Sequence, residues 1–383
     1  MADPQRYDLV LHGGRLFDPA DGSWRVADLA VSDGVVAAVE GHIDRKTAAR
    51  WADVTGAMVT PGLTDLHVHA YPGSTYWGID VGPPSLASGV TTVVDAGSAG
   101  AYTFDGLAPL LRGGRVRAKA FLNIAAGGLA SPFGELLSPV AADVEAAVRV
   151  ARANRDLVVG FKVRASPNTV GAQAGAALAA VRRAADETGL QVMAHVSEAP
   201  PDLGMVLDHL IAGDVLTHCF TPYDNCVVGE DGKPRDEVVR AVERGVRLDV
   251  GHGTGSFSFP AAQAWARTGA EPVIISTDLH RRSVLGPAFD MCTVMTKMIA
   301  AGNPLEQVLR ASTSSPAEVI GRVASLEVGA PADVAVLDLE RGTRTLWDSR
   351  GVEVETGARL TCRLTVCRGV LEHVAPTLRV IGV

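Results

Sequence analysis

Lysine is nearly missing from this chain: of its 35 basic residues only five, at 46, 119, 162, 233 and 297, are lysine. The abundance of arginine and alanine fits a base-composition bias, and the ratio itself carries no function. No basic cluster accompanies the net charge of −8, which argues against nucleic acid as a partner. No stretch of about 18 apolar residues exists, so no membrane span is expected. The opening MADPQRYDLV lacks a basic stretch followed by an apolar core, so no leader is expected. The cysteines, at 219, 226, 292, 362 and 367, are scattered and odd in number. That fits reduced thiols in a cytoplasmic protein better than a disulfide framework. Two chemical signatures are also missing. No Gly-x-Gly-x-x-Gly follows a strand, which argues against a doubly wound nucleotide fold. No Gly-x-Ser-x-Gly elbow exists, which argues against a serine nucleophile.

What is present is a chain of 383 residues, 47% hydrophobic and 20% charged, long enough for one large domain and something smaller. The first sixty residues hold short alternating segments, RYDLVLHGGRLFD, WRVADLAVSDG and GVVAAVEG, separated by turn residues. The last sixty are alike, with ADVAVLDLE, TCRLTVCRG and VLEHV. The expectation is a small β-sandwich built from both termini, residues 1–59 with 324–383. Two unrelated β extensions are the alternative.

Residues 60–323 behave differently. Eight apolar runs recur: 58–69, 90–97, 116–125, 156–163, 190–196, 215–220, 246–252 and 272–280. Helical patterns lie between them, as at 140–155, 170–189 and 205–213. This alternation predicts a (β/α)8 TIM barrel.

In such a barrel the chemistry collects at the C-terminal ends of the strands. Of ten histidines, six stand at or beside these ends: His67, His69, His195, His218, His252 and His280. Asp278 ends the eighth run, and Lys162 ends the fourth, DLVVGFKV. Positions i and i+2 of a strand face one side, so His67 and His69 point the same way, an arrangement suited to a divalent metal. A lone His-x-His is a weak signal, and His195 or His218 alone reads as a core histidine. The coincidence of all of them at strand ends carries the metal reading. A protonated Lys162 is costly in a barrel and cannot ligate a metal. A lysine that has captured carbon dioxide becomes a carbamate, with two oxygens able to bridge two ions. His12, His42, His209 and His373 read as structural or surface residues.

With these residues in place, the chain resembles the amidohydrolase superfamily. VTPGLTDLHVH is similar to its first-strand signature, and SLEVGAPADVAVLD to the return of its chain into the terminal sheet. The resemblance implies two divalent ions, zinc being the expected metal, with His67, His69 and Asp278 on one and His195 and His218 on the other. It implies carboxylated Lys162 and a hydroxide between them, the hydroxide attacking an ester or amide carbonyl while Asp278 accepts and returns the proton. Dihydroorotases of this superfamily carry an arginine two residues after His-x-His, where this chain has Tyr71. The run HVHAYPGSTYWGIDVGPPSLASGVTTVVDAGSAG, with FKVR and STDLH, is more similar to a dihydroorotase-like branch of deacetylases acting on small acetylated acids such as acetyl-(R)-mandelate. A cyclic amidohydrolase is the alternative. Arg164 is a candidate for a substrate carboxylate, or a surface arginine. His280, His252, Tyr71 and Trp77 are further candidates for substrate contact. The expected partner is a small molecule, and the expected assembly a cytoplasmic homo-oligomer.

Overall fold

The computed structural model describes residues 7–130, 134–270 and 273–382. Arg6 of the first expected strand, Pro272 of the eighth run, and residues 1–6 and 383 of the terminal ranges lie outside these residues. Among the described residues five strands come first, β1 Leu9–Phe17, β2 Trp24–Ser32, β3 Val35–Glu40, β4 Arg50–Asp53 and β5 Met58–Pro61. Seven follow in the middle: β6 Leu63–Val68, β7 Val90–Gly100, β8 Arg117–Asn123, β9 Val158–Ala165, β10 Gln191–Val196, β11 Val215–Thr217 and β12 Arg247–Asp249. Four close the chain: β13 Val334–Trp347, β14 Glu353–Cys367, β15 Val370–Val374 and β16 Val380–Gly382.

The strands of both termini form one nine-stranded sheet in the order β15-β14-β13-β5-β1-β2-β3, with β4 on β1 and β16 on β4. It branches at β1, whose Val10–His12 stretch pairs with β4 and whose Arg15 and Leu16 pair with β5. The register shift between Leu11 and Gly14 marks a bulge, which bends the strand toward both partners. Alternate residues Leu9, Leu11, Leu29, Val31, Val334, Val336, Leu364 and Val366 are buried in its core. Each such side chain contributes roughly 1.5–3 kcal/mol of transfer free energy.

The middle strands form a parallel sheet in the order β12-β11-β10-β9-β8-β7-β6. β7 is buried along its whole length, as expected of a parallel strand covered on both faces. Helices Val144–Ala153 and Ala174–Thr188 fill the predicted helical stretches. Asp143 caps the first, accepting from Ala146 N at 2.9 Å, and Gly189 ends the second in the left-handed conformation.

Two runs differ from the simple pattern. The first is two strands: β5 belongs to the terminal sheet, and the chain enters the barrel as β6 after Gly62. The eighth run is no regular strand. It closes the barrel through single bridges, Ile274 to Asp249 and Leu279 to Val68. Two of its amides turn to other partners: Ile275 N donates to Ala311 O at 2.9 Å and Thr277 N to Asp65 Oδ1 at 3.0 Å. Asp278 then takes a positive φ of 47°, which ends any extended ladder. Among the described residues no helix is long and apolar enough to cross a membrane.

Candidate active site

The C-terminal ends of the barrel strands bring His67, His69, Lys162, His195, His218 and Asp278 to one cavity of about 250 Å³. His67 and His69 lie on and just after β6, Lys162 on β9, and His195 on β10. His218 directly follows β11. The ligand atoms of His67, His218 and Asp278 all lie within 4.8 Å of one another.

Hydrogen bonds outside the cavity orient the rings. His67 Nδ1 is 2.9 Å from Thr217 Oγ1, and that hydroxyl donates to Asp249 Oδ2 at 2.6 Å. The hydroxyl proton is thus committed, so the ring donates from Nδ1 and turns its Nε2 lone pair inward. His218 Nδ1 lies 2.6 Å from the carbonyl of Gly251, which fixes the same tautomer. His69 Nδ1 lies 2.9 Å from Ser98 Oγ. Ser98 N in turn donates to Asp95 Oδ1 at 2.7 Å, while Asp95 Oδ2 accepts from Ala70 N at 2.7 Å. His195 packs edge-on against His218 at a centroid distance of 4.4 Å.

The electrostatics suit a cation. Burial pushes His69 down to about 3 and His218 to about 4, and holds His67 and His195 well below the ordinary range. All four imidazoles are neutral at pH 7, the form that ligates a metal. Asp278 Oδ1 is buried with no hydrogen-bond donor, 3.2 Å from His69 Nε2 and 3.5 Å from His67 Nε2. An orphaned carboxylate oxygen facing imidazole lone pairs is unfavourable unless something positive joins them. This donor set therefore fits a divalent ion. Both His218 and Asp278 adopt positive φ, 69° and 47°, strain that the surrounding structure must hold.

Lys162 is 1% exposed, and its Nζ lies 3.5 Å from His67 Nε2 and 3.3 Å from Met193 Sδ. Burial pushes its pKa down to about 7, with Asp278 and Asp249 pulling the other way. Gly97 makes room for it: a Cβ there would lie 2.6 Å from Lys162 Cβ.

The expected substrate contacts divide. Arg164, His280 and Trp77 line the cavity. Arg164 is not free, since it donates to Glu135 Oε1. His280 Nδ1 accepts from Arg282 N at 3.1 Å, so its Nε2–H faces Asp278 Oδ2, 4.0 Å away. Tyr71 and His252 lie elsewhere. Tyr71 is buried in the barrel core, its hydroxyl donating to Thr103 O at 3.0 Å. His252 is fully buried behind the cavity wall, against Lys297. Sequence reasoning missed Ser98, Thr217, Asp249 and Glu135. Only Asp249 left a signal, a carboxylate at the end of a strand.

The family model of the amidohydrolase family matches residues 58–369. The chain is 36% identical to a deacetylase of Agrobacterium fabrum over 324 residues, 83% of this chain and 80% of the relative. It is 29% identical to a deacetylase of Enterococcus faecalis over 353 residues, 90% of this chain and 94% of that one. A solved adenine deaminase superposes with a TM-score of 0.89 at 28% identity, covering 96% of this chain and 99% of its own. A solved dihydroorotase does so with a TM-score of 0.87 at 32% identity, covering 96% and 98%. With a barrel whose strand ends converge on a cation-ready cluster and a family match across most of the chain, this protein is a hydrolase of the amidohydrolase family.

Proposed function

We propose that this hydrolase removes an acetyl group from a small hydroxy or amino acid, of the acetyl-(R)-mandelate kind, and reads the acid's carboxylate with Arg164. The observation that carries the reading is one small cavity holding both the six-residue cluster and a guanidinium. Its volume of about 250 Å³ suits a small acid better than a polymer. The deacetylase relatives support the same reaction class.

His67, His69 and Asp278 would hold one divalent ion, His195 and His218 a second, and Lys162 as a carbamate would stand between them. Such ions, zinc by expectation, supply Lewis acidity and lower the pKa of a bound water toward neutrality. The rest of the chemistry falls to the chain. Neutral Lys162 Nζ attacks the carbon of CO2, the N–C bond forms as one C=O π bond breaks and its pair moves onto oxygen, and one amine proton leaves to solvent. Its depressed pKa keeps the neutral amine populated. Asp278 accepts the proton of the attacking water and returns it to the departing oxygen or nitrogen. His280 directs an N–H at Asp278 and the substrate. Glu135 holds the guanidinium of Arg164 in place while its remaining N–H groups face the carboxylate. The two-part division at 59/60 and 323/324 belongs to the same proposal. Two sheets support it, although Thr60 and Pro61 pair into the terminal one. The five free thiols support a cytoplasmic setting.

The test is a panel of N-acetyl and O-acetyl acids set against cyclic imides, with metal content measured on the same preparation. Acetyl acids are expected to turn over, a chelator to abolish the activity and zinc to restore it. Arg164→Ala is expected to raise KM for acidic substrates by about 10–100-fold, the loss of one charged hydrogen-bond set. Turnover of the imides alone would replace this reading with ring opening, which the solved dihydroorotase at 32% identity favours.

A further inference from the structure

Lys297 sits on the helix Met291–Ala300 and is 1% exposed. Its Nζ makes three bonds, to Pro287 O at 2.7 Å, Trp347 O at 2.7 Å and His252 Nε2 at 3.0 Å. His252 Nδ1 lies 2.9 Å from Gly253 O and is the protonated nitrogen, so Nε2 accepts. Three acceptors face the three N–H groups of one ammonium. Burial pushes the Lys297 pKa down to about 7, with the Asp348 carboxylate pulling the other way.

The partners come from three separate segments: the loop after β12, the loop after the eighth run, and the last residue of β13 at the β13–β14 hairpin. The first of these forms a wall of the cavity through Thr254, Gly255 and Ser256. It also lies against Asp278. Gly253 N donates to Thr277 O at 2.9 Å, and a Cβ on Gly253 would lie 2.4 Å from Asp278 Oδ2. The hairpin turn grips the same loop further on. Phe257 N donates to Ser349 Oγ at 3.1 Å, and Phe259 N to Asp348 Oδ2 at 3.0 Å. A methionine would fill the volume of Lys297 without burying a charge, so packing alone gives no reason for lysine here.

We propose that Lys297 is a positioning residue for the reaction: through His252 and the Trp347 carbonyl it locks the loop 252–256 against Asp278 and fixes that wall of the cavity. The inference rests on the reading of Asp278 as the proton carrier.

Two variants of the zinc-loaded protein test it. Lys297→Met keeps the length and removes the charge. His252→Phe keeps a ring stacked on Phe257, now 4.6 Å between centroids, and removes the acceptor. Each is expected to lower kcat by roughly 10–100-fold with KM nearly unchanged, the size of a small misplacement of catalytic groups. Metal content stays at the wild-type level. The double variant is expected within about 3-fold of the worse single, because both remove one interaction. Amide exchange at residues 253–257 is expected to quicken while β9 and β10 keep their protection, and Lys297→Arg to retain more activity than Lys297→Met. If Lys297→Met does not fold, Ser349→Ala removes one bond of the same lock and is expected to speed exchange at Phe257 with a smaller loss of kcat. Wild-type kcat with unchanged exchange overturns the proposal, as do losses that multiply in the double variant. The exchange and coupling results are independent of the Asp278 reading, which a fully active Asp278→Asn would sink by itself.

Discussion

In the proposed reaction Asp278 concentrates the chemistry in one side chain. Its backbone is held at φ 47° and its Oδ1 is buried without a donor, both of which cost folding energy. Asp65 helps meet that cost by gripping the preceding residue, accepting from Thr277 Oγ1 at 2.5 Å and Thr277 N at 3.0 Å. Replacing Asp278 with asparagine keeps the shape and an oxygen but removes the proposed base. We expect Asp278→Asn to keep most of its metal and to lose about 10²–10⁴-fold in kcat, the usual worth of a positioned general base. Metal analysis and steady-state kinetics on one preparation check this, and near-wild-type turnover would remove Asp278 from the mechanism.

At the scale of elements, Asp28 on β2 shows how the terminal sheet holds its bends. This carboxylate, 1% exposed, accepts from Gly13 N at the β1 bulge and from Ile43 N in the loop after β3, both at 2.8 Å. His12 Nδ1 adds a contact of 2.9 Å. Burial works against the charge, but the amides of Ile43 and Gly13 and the ring of His12 outweigh it and hold the pKa below 3.8. A folded pKa below the unfolded one means stability that is present above about pH 4 and lost as pH falls through the lower folded value. Asp28→Ala is expected to lower unfolding stability by roughly 1–3 kcal/mol at pH 7, through the buried Ile43 amide and the half-buried Gly13 amide left without acceptors. The difference between variant and wild type should shrink below about pH 4, where the wild-type carboxylate is also protonated. Denaturant titrations at the two pH values decide it; an equal gap at both would show that the carboxylate charge is not what holds the bend.

At the scale of the molecule, the two sheets depend on each other. β13 lies between β5 and β14, and β5 leads through Gly62 into the first barrel strand. Asp333, just before β13, accepts from Arg117 Nε at 2.6 Å and Arg322 Nη2 at 3.1 Å on Oδ2, and from Arg368 N at 2.7 Å on Oδ1. One buried carboxylate thus joins β8, the segment after the barrel, and the end of β14. A chain ending at residue 333 loses β13 and β14, leaves Asp333 without the Arg368 amide, and bares the edge of β5. We expect that truncation to yield no soluble, cooperatively unfolding protein. A soluble product with an intact thermal transition would mean that the barrel folds alone.

The sequence by itself determined the alternation of strands and helices, the β segments at both ends, and the set of residues at the strand ends. Those features repeat with the period of the backbone, and the backbone period needs no tertiary contact to be read. Only the tertiary structure decided where side chains beyond the strand ends point. Tyr71 and His252 looked as well placed as His280, yet one turned into the core and the other behind the cavity wall. Arg164 stood two residues from Lys162, but its partner Glu135 lies 29 residues away in the chain. The eighth strand is reduced to two bridges where the amides of Ile275 and Thr277 found Ala311 and Asp65, contacts no local pattern contains. Lys162 draws its low pKa from complete burial in the barrel, and burial of that kind exists only once all the strands have closed around it.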